Sequence, residues 1–154
     1  MMKIELSRLT FAMGACMSML ALAVAPHTAQ ADAKAVQAEL QKLSAGKNMS
    51  QGGITIKVPD LAENERAIPL NIEVDSPMTD DNYVKAVYVF ADGNPEPNVL
   101  TYHFTPMSGR ASASTRIRLA RQRIQTITVV AEMSDGSLRT ANSEVKLGLA
   151  NPAC

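Results

Sequence analysis

Two cysteines, Cys16 and Cys154, are the residues best suited to covalent chemistry in this chain of 154 amino acids. The thiolate is the reactive form, and an ordinary thiol near pKa 8.5 is only roughly a few per cent ionised at neutral pH. Reactivity at Cys154 therefore has to be induced by the active site of a partner. Cys154 closes the segment Gly148-Leu149-Ala150-Asn151-Pro152-Ala153-Cys154. Gly148 lets a strand end, Pro152 cannot join a ladder, and the small residues offer little to anchor the segment to a core. Extended at roughly 3.3–3.6 Å per residue, the steps from Gly148 to Cys154 carry the sulfur about 20 Å from a sheet edge. The pattern reads as an arm with a thiol at its tip. A frayed terminus that happens to end in cysteine, or a covalent dimer through it, fits the same residues.

Other sets of chemistry-bearing residues are thinner. Arg116 and Arg118 share one face of a strand, and Arg121 and Arg123 follow in the turn. Such a cluster could steer a small anion or an acidic partner, and the solvated outer face of a sheet gives the same pattern. His103 and Met107 lie four apart and could hold Cu(I) through imidazole and thioether, yet Met49, Met78 and Met133 are scattered near turns. The pair Cys154 and His103 makes a poor nucleophile and base, because a terminal cysteine is badly placed for a preorganised site. Asp80-Asp81 and Glu63-Asn64-Glu65 read as polar loop residues rather than a paired-carboxylate site, and no glycine-rich phosphate loop follows a strand. No residue is assigned a catalytic role.

The positions of these residues depend first on what is removed. Lys3 and Arg8 form a short basic start, residues 9–25 are almost entirely apolar or small, and Ala29-Gln30-Ala31 is a small-x-small cleavage pattern. Residues 1–31 therefore read as an export signal cleaved after about Ala31, and not as a structural element. The apolar run is too short, and too soon followed by Pro26, to serve as a stable membrane anchor. Met13-Gly14-Ala15 is a poor lipidation box before Cys16. Without residues 1–31 the chain keeps 123 of its 154 residues, 13 of 15 bases and 14 of 15 acids. His27 and Cys16 leave with the signal, so His103 and Cys154 are the single histidine and cysteine of the exported protein, which cannot form an internal disulfide in an oxidising compartment. Near-neutral charge argues against a nucleic-acid or polybasic membrane binder. A composition of 46% hydrophobic and 19% charged residues is that of a globular protein.

Residues 32–43 place Val36, Leu40 and Leu43 at helical spacing, with Asp32 as a cap and Ser44-Ala45-Gly46 as a stop. From Gly53 the hydrophobic period becomes two. Alternating runs occupy residues 54–58, 68–74, 83–90, 99–104, 115–119, 124–130 and 138–147, with Thr115, Ile117 and Leu119 turned to the core. Turn clusters such as Asp92-Gly93-Asn94-Pro95 and Ser134-Asp135-Gly136-Ser137 separate them. Six or seven short strands in about a hundred residues predict an all-β, immunoglobulin-like antiparallel β-sandwich with a short N-terminal helix and a mobile C-terminal arm. The expected organisation is a signal peptide (1–31), a helix and linker (32–52), the sandwich (53–148) and the arm (149–154).

Several segments, taken in order, resemble SoxY, the sulfur-carrier subunit of the periplasmic sulfur-oxidation (Sox) system. They are Ile68-Pro69-Leu70 with Val74-Asp75-Ser76-Pro77-Met78, Asn98-Val99, Ser114-Thr115-Arg116-Ile117-Arg118-Leu119, Val130-Ala131-Glu132-Met133-Ser134-Asp135-Gly136-Ser137 and Glu144-Val145-Lys146. The resemblance implies an immunoglobulin-like sandwich with an N-terminal helical segment and periplasmic localisation. It also implies a heterodimer with a SoxZ-like subunit and a covalent sulfur intermediate on Cys154, with no resident cofactor or metal. The carrier would be a substrate and not an enzyme, served in turn by a haem-containing attachment enzyme, a hydrolase and a sulfur dehydrogenase. Two features differ from the family pattern. The family arm is usually Gly-Gly-Cys-Gly-Gly, where this chain has Asn151-Pro152-Ala153-Cys154. Its signal is usually of the twin-arginine kind, where Ser7-Arg8-Leu9-Thr10-Phe11 keeps one arginine. The alternatives from other classes are an exported immunoglobulin-like interaction module without sulfur chemistry, and a copper carrier using His103 and Met107.

Overall fold

A computed structural model describes residues 33–148. The first element, helix α1 (Ala33–Ser44), follows from the spacing of Val36, Leu40 and Leu43. Val36 is only 6% exposed and packs with Phe90, Val130 and Leu138, while Leu40, Leu43 and Tyr88 close the rim of this small cluster. The expected cap, Asp32, lies outside the described residues.

Nine strands follow: β1 (Met49–Gln51), β2 (Ile54–Lys57), β3 (Leu61–Ala62), β4 (Ile68–Val74), β5 (Val84–Ala91), β6 (Asn98–His103), β7 (Ala111–Ile117), β8 (Ile124–Met133) and β9 (Leu138–Leu147). The larger sheet has the order β1-β9-β8-β5-β6, with β3 also paired to β9, and the smaller has the order β2-β4-β7. The two sheets form the expected immunoglobulin-like sandwich. In β4 burial alternates at every residue, as the period of two requires when one face meets the core and the other meets water. In β5 it does not, because Val87, Val89 and Ala91 face the sandwich core while Ala86 and Phe90 are buried on the opposite face, Phe90 beneath α1.

Pairing is antiparallel except at β9, where β1 and β3 are both parallel to it. The chain runs along the β9 edge, crosses to the smaller sheet for β2 and returns, so the two contacts on β9 share one direction. Gly53 sits at the crossing with φ 70, and a Cβ there would meet the Arg139 guanidinium at 2.9 Å. That guanidinium donates to the Asp75 carbonyl at 2.6 Å, and the Asp75 amide donates back to the Gly53 carbonyl at 2.9 Å. A side chain at 53 would have to push the Arg139 end of this clip aside and would also sit at a backbone conformation that side chains rarely adopt.

The strand expected over residues 115–119 runs instead over Ala111–Ile117. Ile117 and Leu119 reach the core as expected, and Leu119 continues beyond the strand by donating its amide to the Glu65 carbonyl at 2.9 Å. The small Ala111 and Ala113 carry too weak a hydrophobic signal to announce the start of β7. The segment read as a polar linker contains β1. The β8–β9 hairpin closes at the expected turn, with the Met133 amide donating to the Ser137 carbonyl at 2.9 Å.

Candidate functional site

Cys154 and the rest of residues 149–154 lie outside the described residues, as do residues 1–31. The structure does define the place from which that segment leaves the sandwich. Val145 and Leu147 are buried in the main core. The amides of Lys146, Leu147 and Gly148 donate in succession to the carbonyls of Asp60 (2.9 Å), Arg123 (2.8 Å) and Ala62 (2.9 Å). The strand end is thus held by two core side chains and by three backbone bonds, one to the β7–β8 loop and two to the β3 region. Gly148, the last described residue, is exposed beside Leu61 and Glu63.

Two large apolar side chains stand in the open next to this exit. Leu61 is 61% and Ile124 54% exposed. Register places both beside Lys146, Leu61 from β3 and Ile124 from β8, in one row across the outer face of the sheet.

The four arginines are divided. Arg116 and Arg118 are exposed and line a groove with Pro95, Val99 and Leu100. Arg118 and Arg121 line a neighbouring depression with Arg66 and Glu65. Arg121 contacts Glu65 at 3.6 Å with 70% of its side chain exposed, a geometry worth little in water. Arg123 serves through its carbonyl at the exit of β9. Asn94 fixes the loop beneath these side chains by donating to the Arg118 carbonyl (3.1 Å) and accepting from the Ala120 amide (2.6 Å).

His103 is exposed at the end of β6, and Met107 is 97% exposed in a one-turn 3-10 helix (Pro106–Ser108). Among the described residues no group of three or more His, Cys, Asp or Glu side chains is placed to hold a metal. Asp80 and Asp81 are exposed loop residues, and Asp81 acts through its carbonyl, which accepts from the Ser134 hydroxyl at 3.0 Å. Glu63 is exposed, while Glu65 faces Arg121. The carboxylates therefore do not converge.

Two polar features escaped the sequence reading. Glu132, on the outer face of β8, accepts from Lys47 at 2.9 Å and from the Tyr88 hydroxyl at 3.1 Å. The Lys47 bond is the main cause that holds its carboxyl below the ordinary carboxylate value, and partial burial opposes the shift. Tyr88 is pushed up, first by burial and then by its bond to Glu132. The trio ties the chain just past α1 to the sheet. Gln125 is fully buried; its amide donates to the Ala120 carbonyl and its oxygen has no partner among the described residues. The sequence did hold one signal for it, since Gln125 falls on the same parity as the core residues Ile127 and Val129.

Residues 40–151 match the family described as Sulfur oxidation protein SoxY, which is most of the chain and nearly all of its described residues. The chain belongs to the SoxY family. Among solved structures, the sulfur carrier protein SoxY from Chlorobium limicola f thiosulfatophilum is similar over 77% of this chain and all of that one, at 23% identity and a TM-score of 0.62. A superoxide reductase (neelaredoxin) from Ignicoccus hospitalis is similar over 62% of this chain and 80% of that one, at 13% identity and a TM-score of 0.54. At these identities the likeness is one of fold. No curated protein matches the chain in sequence. SoxY membership makes this a sulfur-oxidation protein, and the sandwich with its N-terminal helix agrees with what the resemblance implied. Among the described residues no helix is long and apolar enough to cross a membrane.

Proposed function

We propose that the chain is a periplasmic sulfur carrier, exported by the segment 1–31, which holds thiosulfate-derived groups on Cys154 and presents them to partner enzymes without catalysing a reaction itself. The observation that carries this reading is the family match over residues 40–151, coupled with a sequence in which Cys154 is the only cysteine beyond the export segment. The firm anchoring of the β9 exit supports it, because a carrier needs a fixed root for a segment that visits several active sites.

In the loading step the Cys154 thiol and thiosulfate form one S–S bond. One proton and two electrons leave, the electrons passing to a haem-containing attachment enzyme. Hydrolysis by a second enzyme then releases the outer sulfur as sulfate and leaves a persulfide, which a sulfur dehydrogenase oxidises further. The carrier supplies the thiol, its reach and a surface for docking, so no cofactor of its own is required. A SoxZ-like subunit is the expected heterodimer partner.

Intact-mass measurement of protein purified from its own periplasm tests the reading. Sulfur-containing adducts that disappear on reduction, and that Cys154→Ser lacks, are expected. An unmodified thiol after incubation with thiosulfate and the pathway enzymes would sink it. Disulfide-linked dimers without adducts would favour an interaction module.

A further inference from the structure

The two long sides of the sandwich are finished differently. On one side β2 lies against β9, and the β9 edge is covered by two very short strands, β1 and β3. Very short edge strands are among the devices that keep a sheet from pairing with another chain. On the other side β6 ends the larger sheet and β7 the smaller, and neither has an outer neighbour among the described residues.

This second side lacks most of the usual protection. Asn98–His103 contains no lysine, arginine or proline, and Ala111–Ile117 contains one charge, Arg116. A bulge interrupts the β5–β6 ladder near Val99, but pairing from Leu100 to His103 is regular. Leu100, Tyr102 and Phe104 pack against the core cluster but remain only partly buried, with the Tyr102 and Phe104 rings 6.3 Å apart. A groove floored by Val99, Leu100 and Ile117 runs between the strands, with Arg116 and Arg118 on its β7 rim and Glu96 on the other.

We propose that this β6–β7 side is the seat of the pairing subunit, which adds an extended strand alongside β6 at residues 100–103 and sets acidic side chains against Arg116 and Arg118. The unpaired N–H and C=O groups of an edge strand are complemented by those of another extended backbone. The partly buried apolar row gives that strand a face to cover, and the two-to-one excess of arginine on the groove rim selects a partner of negative charge. Seating the subunit here also leaves the β9 exit free. The proposal rests on the heterodimer reading for the choice of partner.

The test uses the full mature chain with a SoxZ-like subunit, assembled in solution and followed by amide hydrogen exchange and by affinity measurement. Binding is expected to slow exchange at outward-facing amides of residues 100–103 by at least tenfold while leaving α1 and β1 unchanged. The exposed pair Arg116→Glu and Arg118→Glu is expected to weaken association at least tenfold with its native circular dichroism kept, and Lys146→Glu on the opposite edge is expected to bind as the parent does. A complex whose protection maps elsewhere overturns this proposal alone. Equal protection of β6 in the chain by itself, rising with concentration, makes a second copy the occupant and also overturns it. Failure to form any complex removes the heterodimer reading with it.

Discussion

Replacing Val36 by alanine separates the helix from the sandwich as a unit of stability. Val36 is the one fully buried side chain of α1, at 6% exposure, and it fills the gap between Phe90, Val130 and Leu138. The substitution removes two methyl groups from that contact. At about 0.8 kcal/mol for each buried carbon, docking weakens by about 1.6 kcal/mol, which raises the helix-opening equilibrium about 15-fold. A helix of 12 residues has little stability once undocked, so opening and melting are one event. Amide hydrogen exchange across Ala33–Ser44 should accelerate by that factor while the amides of β4 and β7 keep their rates. Leu70→Ala provides the contrast. Leu70 is fully buried in the main cluster, and its truncation is expected to cost about 2–5 kcal/mol of global stability and to accelerate every slow amide together. If Val36→Ala instead speeds the β4 amides as much as those of α1, the helix is part of the cooperative core and the reasoning fails.

Further outcomes follow from named contacts. The carboxyl of Glu132 is held below its unfolded value of 4.5, so its contribution is complete above that value and is lost as pH falls through the folded one. Urea midpoints of Glu132→Gln measured from pH 6 downward should show a lower plateau and a flatter acid limb than the parent, and parallel limbs would refute the Lys47–Glu132 tie. Gly93 has φ 78, and a Cβ there would collide with the Gln122 side chain. Gly93→Ala should therefore lower the melting temperature, and adding Gln122→Ala should restore the part due to the clash while leaving about 1–2 kcal/mol of left-handed backbone cost. Full rescue by the second change would mean that the backbone conformation carries no cost. Arg121→Ala, which breaks an exposed contact with Glu65, should move the melting temperature by no more than the roughly 1 kcal/mol such pairs are worth; a larger drop in calorimetry would show that the depression it lines is a structural site.

The parts of the fold visible in the sequence are those where one local rule acts alone. Ile68–Val74 has one face in the core and one in water, so its alternation is complete in both sequence and structure. Helix α1 shows the same economy, with Val36, Leu40 and Leu43 naming its buried side. Where two partners act, the pattern blurs: β5 reads as a loosely alternating strand because α1 covers its second face. Strands β1 and β3 have three and two residues, too few to show a period, and they exist because β9 offers an edge far away in sequence, as in the pairing of Met49 with Leu138 and of Leu61 with Lys146. The arginine run was visible as composition, but its division between two depressions depends on how Asn94 shapes the loop beneath it. For the site, the sequence offered Cys154 through its type and position. The rigidity of the exit at Gly148 arises from hydrogen bonds to Asp60, Arg123 and Ala62, which no local pattern encodes.

The way β9 is held has a mechanical consequence. Any pull on the chain beyond Gly148 is directed along the axis of a strand bonded to β8 along most of its length and gripped at either end by β1 and β3. Such a load puts many hydrogen bonds under shear together, whereas a load across an edge strand would break them one after another like a zip. Tension applied at Gly148 is thereby spread through several strands of the larger sheet at once, and no single strand is peeled away from it.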